Sequence, residues 1–247
     1  MVAIAKSFIA LPNKATILQR FLSIAATILI SITLCSFSSS ALAEGDSGAE
    51  QLRQFVRNSK TAEGEFVQQQ LRAPKASEPQ DKGLKVIRQT QGRFVFQRPG
   101  RFIWDTQKPY EQKLIADGKQ LILWDKDLNQ ATLRPAGQAL AATPAAILFG
   151  ETSLDQHFDL VEGEDRLGMK WVALVPKKNP NAKNGNDLPY TKIFVGMSND
   201  LPKALEIIDG LGSVVLVTLD KIQLNVRLPA NRFTFVPPAG AEVSRLN

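Results

Sequence analysis

Between residues 92 and 125 apolar and polar positions alternate with period two, interrupted only by short turn signals, which is the pattern of successive β-hairpins. Phe94 and Phe96 fall on one face of one strand, Phe102 and Trp104 on one face of the next, and Val95 and Ile103 point the other way. An antiparallel sheet needs only one apolar face to hold a core. Apolar side chains on both faces therefore predict that each is covered, with a ligand as one candidate cover.

The alternation extends in both directions. Residues 65–71 and 84–90 read as strands joined by a polar, proline-containing connection, 74–83. Residues 112–116 and 119–124 flank Asp117-Gly118, a dipeptide suited to a type I′ hairpin turn. Further strands are predicted at 129–133, 158–162, 170–175, 192–197, 204–209, 213–219, 221–226 and 233–235. Two segments break the pattern. Residues 49–59 place Leu52, Phe55 and Val56 at helical spacing behind Asp46 and Ser47 as candidate caps, predicting a short amphipathic helix that plugs one side of the sheet. Thr143-Pro144 then opens a very apolar short helix through Ile147, Leu148 and Phe149. Connections are normally polar, so this one is expected to lie over an apolar surface as a lid. Many short strands and few helices predict a mainly β fold, a curved antiparallel sheet or incomplete barrel.

The first residues stand outside this pattern. Lys6, Lys14 and Arg20 precede an apolar run from Phe21 to Leu34, and Ala41-Leu42-Ala43 gives an A-x-A site, so 1–43 reads as a cleaved secretory signal peptide. The run is short for a membrane span, and Ser36 to Ser40 follow it. Cys35 lacks the small residues that precede a lipidated cysteine and belongs to the leader. Residues 44–247 are then one exported domain without cysteine, which excludes disulfides and thiol chemistry and suits a bacterial periplasm.

Charge changes little. Losing three cations with the leader lowers the net charge from +6 to +3, and no concentrated Lys/Arg stripe points to nucleic acid. Candidate chemistry is sparse. His157, the only histidine, stands among Ser153, Asp155 and Asp159, but no G-x-S-x-G elbow or H-E-x-x-H helix accompanies it. Gly210-Leu211-Gly212 reads as a turn, and the carboxylates at Glu162, Glu164 and Asp165 as a solvated one. No catalytic, metal or cofactor site is predicted; the chain is expected not to be an enzyme. Arg98 shares the parity of Phe94 and Phe96, which leaves it either facing the same space or exposed at the strand end.

Taken in order, Phe66-Val67-Gln68, Gly92, Arg98-Pro99, Phe102, Trp104, Pro109, Asp117-Gly118, Trp124-Asp125, Gln130, Thr143-Pro144, Pro176-Lys177, Phe233-Thr234-Phe235, Pro237-Pro238, Gly240 and Val243 resemble the periplasmic outer-membrane lipoprotein carrier family, LolA, over nearly the whole exported chain. The resemblance implies an unclosed half β-barrel with short helices as plug and lid. It also implies transfer of lipoproteins from an inner-membrane ABC transporter to an outer-membrane receptor, by a monomer. Under it Phe94, Phe96, Phe102, Trp104, Leu114, Ile147, Leu148 and Phe149 are the candidate ligand-binding residues, and Arg98 with Pro144 the lid latch. A carrier or sensor of another amphiphile, such as a glycolipid, is the alternative on the same fold, and a periplasmic hydrolase a more distant one. Two connections, 72–85 and 177–188, are longer than is common in that family; Lys177, Lys178 and Lys183 in the second are candidates for lipid head groups, an acidic partner or solvent.

Overall fold

The computed structural model describes residues 46–74, 77, 83–136, 148, 154–177 and 190–246. The expected leader and its expected cleavage site lie outside the described residues, as do Pro144, Ile147 and Phe149 of the expected lid and most of the two long connections.

Helix α1 (Gly48–Asn58) starts where the Ser47 hydroxyl accepts the Glu50 N–H at 3.3 Å. The Glu162 carboxylate, from a distant strand, accepts the N–H groups of Gly48 and Ala49 at 3.1 and 2.9 Å. Negative charge at this end suits the helix dipole, so one residue both caps α1 and fixes it on the sheet. Leu52, Phe55 and Val56 are buried as their spacing predicts, each stabilising the packing by about 1.5–3 kcal/mol.

Among the described residues twelve strands follow: β1 (Thr61–Arg72), β2 (Lys85–Gln97), β3 (Arg101–Lys108), β4 (Gln112–Asp117), β5 (Gln120–Asp125), β6 (Gln130–Pro135), β7 (Phe158–Glu162), β8 (Lys170–Pro176), β9 (Tyr190–Ser198), β10 (Leu201–Asp209), β11 (Val214–Leu224) and β12 (Glu242–Arg245). They form one sheet in the order β12-β6-β5-β4-β3-β2-β1-β11-β10-β9-β8-β7. β12 and β7 are its two edges, so the sheet is unclosed, as expected. Every pairing is antiparallel except β12 with β6.

Several strand boundaries differ from the sequence pattern, for identifiable reasons. Residues 85–90 and Phe94 to Phe96 belong to one strand, with Leu84 just outside it, because Gly92 sits at a register shift where a Cβ would lie 1.9 Å from the Asp105 carbonyl oxygen. The backbones approach too closely for a side chain, and the strand bends without ending. Residues 214–219 and 221–224 likewise merge in β11 through a bulge in which Lys221 has φ 51°. At Asp117-Gly118 only Gly118 has positive φ, so no type I′ turn forms; the Asp117 carboxylate accepts the N–H groups of Lys119 and Gln120, both at 2.7 Å. Residues 233–235 form no strand. Their aromatic rings pack on the sheet instead.

The period-two faces hold. On the inner face Phe94 pairs with Trp104, Phe96 with Phe102, and Trp104 with Leu114. Gly64, opposite Phe94, makes room for its ring, since a Cβ there would come within 2.7 Å of Phe94 Cζ. α1 packs over β7 to β10 on this face, and Phe55 meets Phe96 edge-on with centroids 6.1 Å apart. On the outer face Val95, Ile115, Ile122 and Trp124 are buried. Their cover is the segment after β11: Phe233 is buried, Phe235 lies 5.6 Å from the Trp124 ring, and the Arg101 guanidinium stands over Phe233.

Candidate functional site

The inner face is filled at one end of its strands and hollow at the other. At the filled end Phe96 and Phe102 are fully buried and Phe94 nearly so, all within the main core with Leu52, Phe55 and Leu148. Arg98, one residue beyond β2, closes this end. Its Nη2 donates to the Leu148 carbonyl oxygen at 2.6 Å and its Nε to the Ser59 carbonyl oxygen at 3.1 Å. The guanidinium also stands 4.9 Å from the Phe96 centroid and 5.6 Å from that of Phe55. Ser59 is the C-cap of α1, where a cation meets the negative end of the helix dipole. One side chain thus ties together β2, the end of α1 and the connection that contains Leu148.

Toward the opposite end the same face holds a cavity of about 640 Å³, within the ordinary range for ligand sites. Trp104, Leu114, Leu123 and Val215 form its apolar floor. Trp104 stacks on buried Phe66 with centroids 3.8 Å apart and lies 6.1 Å from Phe94, so it separates core from cavity. Gln68, Thr90, Thr106, Gln112 and Asp125 give polar walls, and Tyr110 and Leu128 stand at the mouth.

Of the sequence-predicted residues, Trp104 and Leu114 line this cavity, whereas Phe94, Phe96 and Phe102 lie sealed beneath the filled end. Leu148 is buried against them, and Arg98 faces the inner side. Ile147, Phe149 and Pro144 lie outside the described residues. The sequence pattern missed the polar walls. Their signal was parity: Gln68 follows Phe66 by two positions and therefore shares its face. It also missed the role of Glu162, whose exposed carboxylate anchors the start of α1. His157 is exposed and joins the sheet through its backbone, to Leu154 and Lys177. Tyr190, buried at the start of β9, has its phenol pushed up to about 12 by burial.

Residues 57–236 match the family model described as outer membrane lipoprotein carrier protein LolA. An outer-membrane lipoprotein carrier protein from Ralstonia nicotianae is 41% identical over 212 residues, covering 86% of this chain and 92% of that one. Its counterpart from Cupriavidus pinatubonensis is 41% identical over 196 residues, covering 79% and 86%. A solved structure of a LolA-superfamily protein from Nitrosomonas europaea aligns at 13% identity with a TM-score of 0.44, covering 77% of this chain and 99% of that one. With a family model spanning most of the chain and relatives this similar along nearly their whole length, the chain belongs to the outer membrane lipoprotein carrier family, LolA.

Proposed function

We propose that this chain is a periplasmic carrier that shields the acyl chains of lipoproteins in the inner face of its sheet, taking them from an inner-membrane ABC transporter and passing them, as a monomer, to an outer-membrane receptor. The observation that carries the proposal is the division of one apolar face into a cavity and a filled end, where the Arg98 guanidinium ties α1 and Leu148 to the sheet. Burial of acyl chain contributes about 0.8 kcal/mol per CH₂, so shielding ~10 methylenes would give ~8 kcal/mol, or roughly micromolar binding. Cargo held that strongly does not leave for water unaided. Release becomes favourable when the emptied face closes again, and the two Arg98 bonds supply part of that driving force by satisfying carbonyls that cargo leaves exposed. Trp104 and Leu114 would contact acyl chain from the start, while Phe94, Phe96 and Phe102 would become accessible as Leu148 moves away.

The test is to incubate the chain, lacking its leader, with spheroplasts that synthesise a tagged lipoprotein. A soluble one-to-one complex in the supernatant is the expected result. If the lipoprotein stays with the spheroplasts while free lipid or glycolipid co-purifies with the chain, the cargo is another amphiphile.

A further inference from the structure

Arg98 reaches Ser59 in the short linker between α1 and β1, and that linker is held on its other side by a residue from the far end of the chain. β1 pairs with β2 from Thr61, and with β11 from Ala62, opposite Leu224. β11 ends there, and Asn225 turns the chain away with φ 56°, a left-handed conformation that asparagine tolerates better than most residues. Its backbone N–H still donates to the Thr61 carbonyl oxygen at 2.7 Å. Its side chain then continues the ladder where the strand has stopped. Oδ1 accepts the Lys60 N–H at 2.9 Å, and Nδ2 donates to the Asn58 carbonyl oxygen at 3.2 Å. A side-chain amide offers the same acceptor and donor as a peptide group. Both partners are backbone atoms with fixed roles, so they dictate which way the amide faces.

The contact with Lys60 bears directly on Arg98. The Ser59 carbonyl and the Lys60 N–H are the two ends of one peptide group, planar and trans. Arg98 Nε donates to one end at 3.1 Å, and Asn225 Oδ1 accepts from the other at 2.9 Å. Fixing the direction of the N–H fixes that of the carbonyl. The Ser59 oxygen therefore keeps its aim at the guanidinium, and the two bonds polarise the shared peptide in the same sense. A bond that must break and re-form gains from an acceptor that is already ordered, since only the arginine side chain then loses conformational freedom on closing. Asn225, Asn58 and Lys60 are all exposed, so the amide contributes through its hydrogen bonds more than through burial.

We infer that Asn225 is a positioning residue for Arg98: its side-chain amide orients the Ser59–Lys60 peptide so that the Ser59 carbonyl meets the guanidinium. The segment after β11, which covers the outer face, thereby also supports closure of the inner one. The consequence for lipoprotein delivery rests on the carrier reading above, whereas the positioning itself is a property of the cargo-free chain.

The experiment has two readouts. In the chain lacking its leader and free of cargo, NMR follows exchange of the Arg98 Nε–H with water. Asn225→Gly keeps the positive φ and deletes the amide, and exchange is expected to rise about three- to tenfold, the span of one hydrogen bond's net contribution. Thr61→Val removes a different bond between the same two segments, from Thr61 Oγ1 to the Val226 carbonyl oxygen at 2.7 Å. That bond does not touch the Ser59–Lys60 peptide, so the exchange should stay unchanged even where both variants unfold at equally lowered temperatures. The second readout is transfer of tagged lipoprotein from the loaded chain to outer-membrane vesicles. Asn225→Gly is expected to accept lipoprotein normally, to deliver it severalfold less, and to add no further loss once Arg98→Leu is present. Unchanged Nε–H exchange in Asn225→Gly overturns the proposal. So does an equal rise in Thr61→Val, or a full further loss of delivery in the Arg98→Leu background. Normal delivery by Arg98→Leu alone would remove the latch from the carrier reading, and the exchange measurement, made without cargo, would still decide whether Asn225 positions the guanidinium.

Discussion

The two faces of the sheet carry similar apolar rows and solve the problem of covering them differently. On the outer face Val95, Ile115, Ile122 and Trp124 are covered by the chain's own segment after β11, with Phe233 and Phe235 as the packed rings. That cover is apolar, and separating it would expose a large area to water. On the inner face the cover combines buried apolar contacts of α1 and Leu148 with hydrogen bonds from the Arg98 guanidinium to two carbonyls, and part of the face is a cavity. Hydrogen bonds of this kind exchange readily for bonds to water, so their net contribution is modest. The difference supports the proposal that the inner face is the one that opens, while the outer is a core.

The largest expected effect tests the permanence of the outer cover. Phe233→Ala should cost about 3–4 kcal/mol of stability, as for other buried aromatic truncations, read as a lower urea midpoint, while lipoprotein binding by the folded fraction stays normal. A stability loss near zero would mean that the outer cover is as loose as the inner one.

Tyr190, at the start of β9, belongs to the buried core. Its phenol titrates near 10 when unfolded and at about 12 when folded, so the folded state favours the protonated form. The corresponding stability is complete below pH 10 and is lost as pH rises from 10 to 12, by roughly 2–3 kcal/mol at most. Tyr190→Phe should flatten this alkaline slope in chemical denaturation. A slope that persists in the variant would place the titrating group elsewhere.

Arg98→Leu breaks the comparison at its centre. Removing the two charge-assisted bonds should cost about 2 kcal/mol of closure, enough to shift the open population by more than tenfold. The variant is expected to accept lipoprotein normally and to deliver it poorly, because closing no longer helps to drive release. Normal delivery to the receptor would remove Arg98 from the mechanism.

The smallest expected effect concerns the anchor of α1. Glu162→Gln keeps the acceptor but removes the charge at the helix N-terminus, and should cost about 0.5–1 kcal/mol, measured as a small shift in thermal unfolding. A loss above 3 kcal/mol would show that α1 belongs to the permanent core, not to a movable cover.

Much of this arrangement was legible before any coordinates. Period-two alternation placed Phe94, Phe96, Phe102 and Trp104 on one face and Val95 and Ile103 on the other, because strand side chains alternate whatever surrounds them. The spacing of Leu52, Phe55 and Val56 likewise gave α1, a local consequence of the helix repeat. Strand ends were read less well. The pattern put strand breaks before Gly92 and before Lys221, yet neighbouring strands pair across both and turn them into bends.

What the tertiary structure alone decided is depth and partnership. Phe102 and Trp104 are equivalent in the pattern, two residues apart on one face, yet the first is sealed and the second floors a cavity. The distinction arises because α1 and Leu148 reach over one end of the strands only. Arg98 was ambiguous between latch and surface for the same reason: its partners, Ser59 and Leu148, lie 39 and 50 residues away in the chain. Parity is a property of the strand itself, fixed by backbone geometry. What a face meets depends on segments distant in sequence, and only the folded chain brings them together.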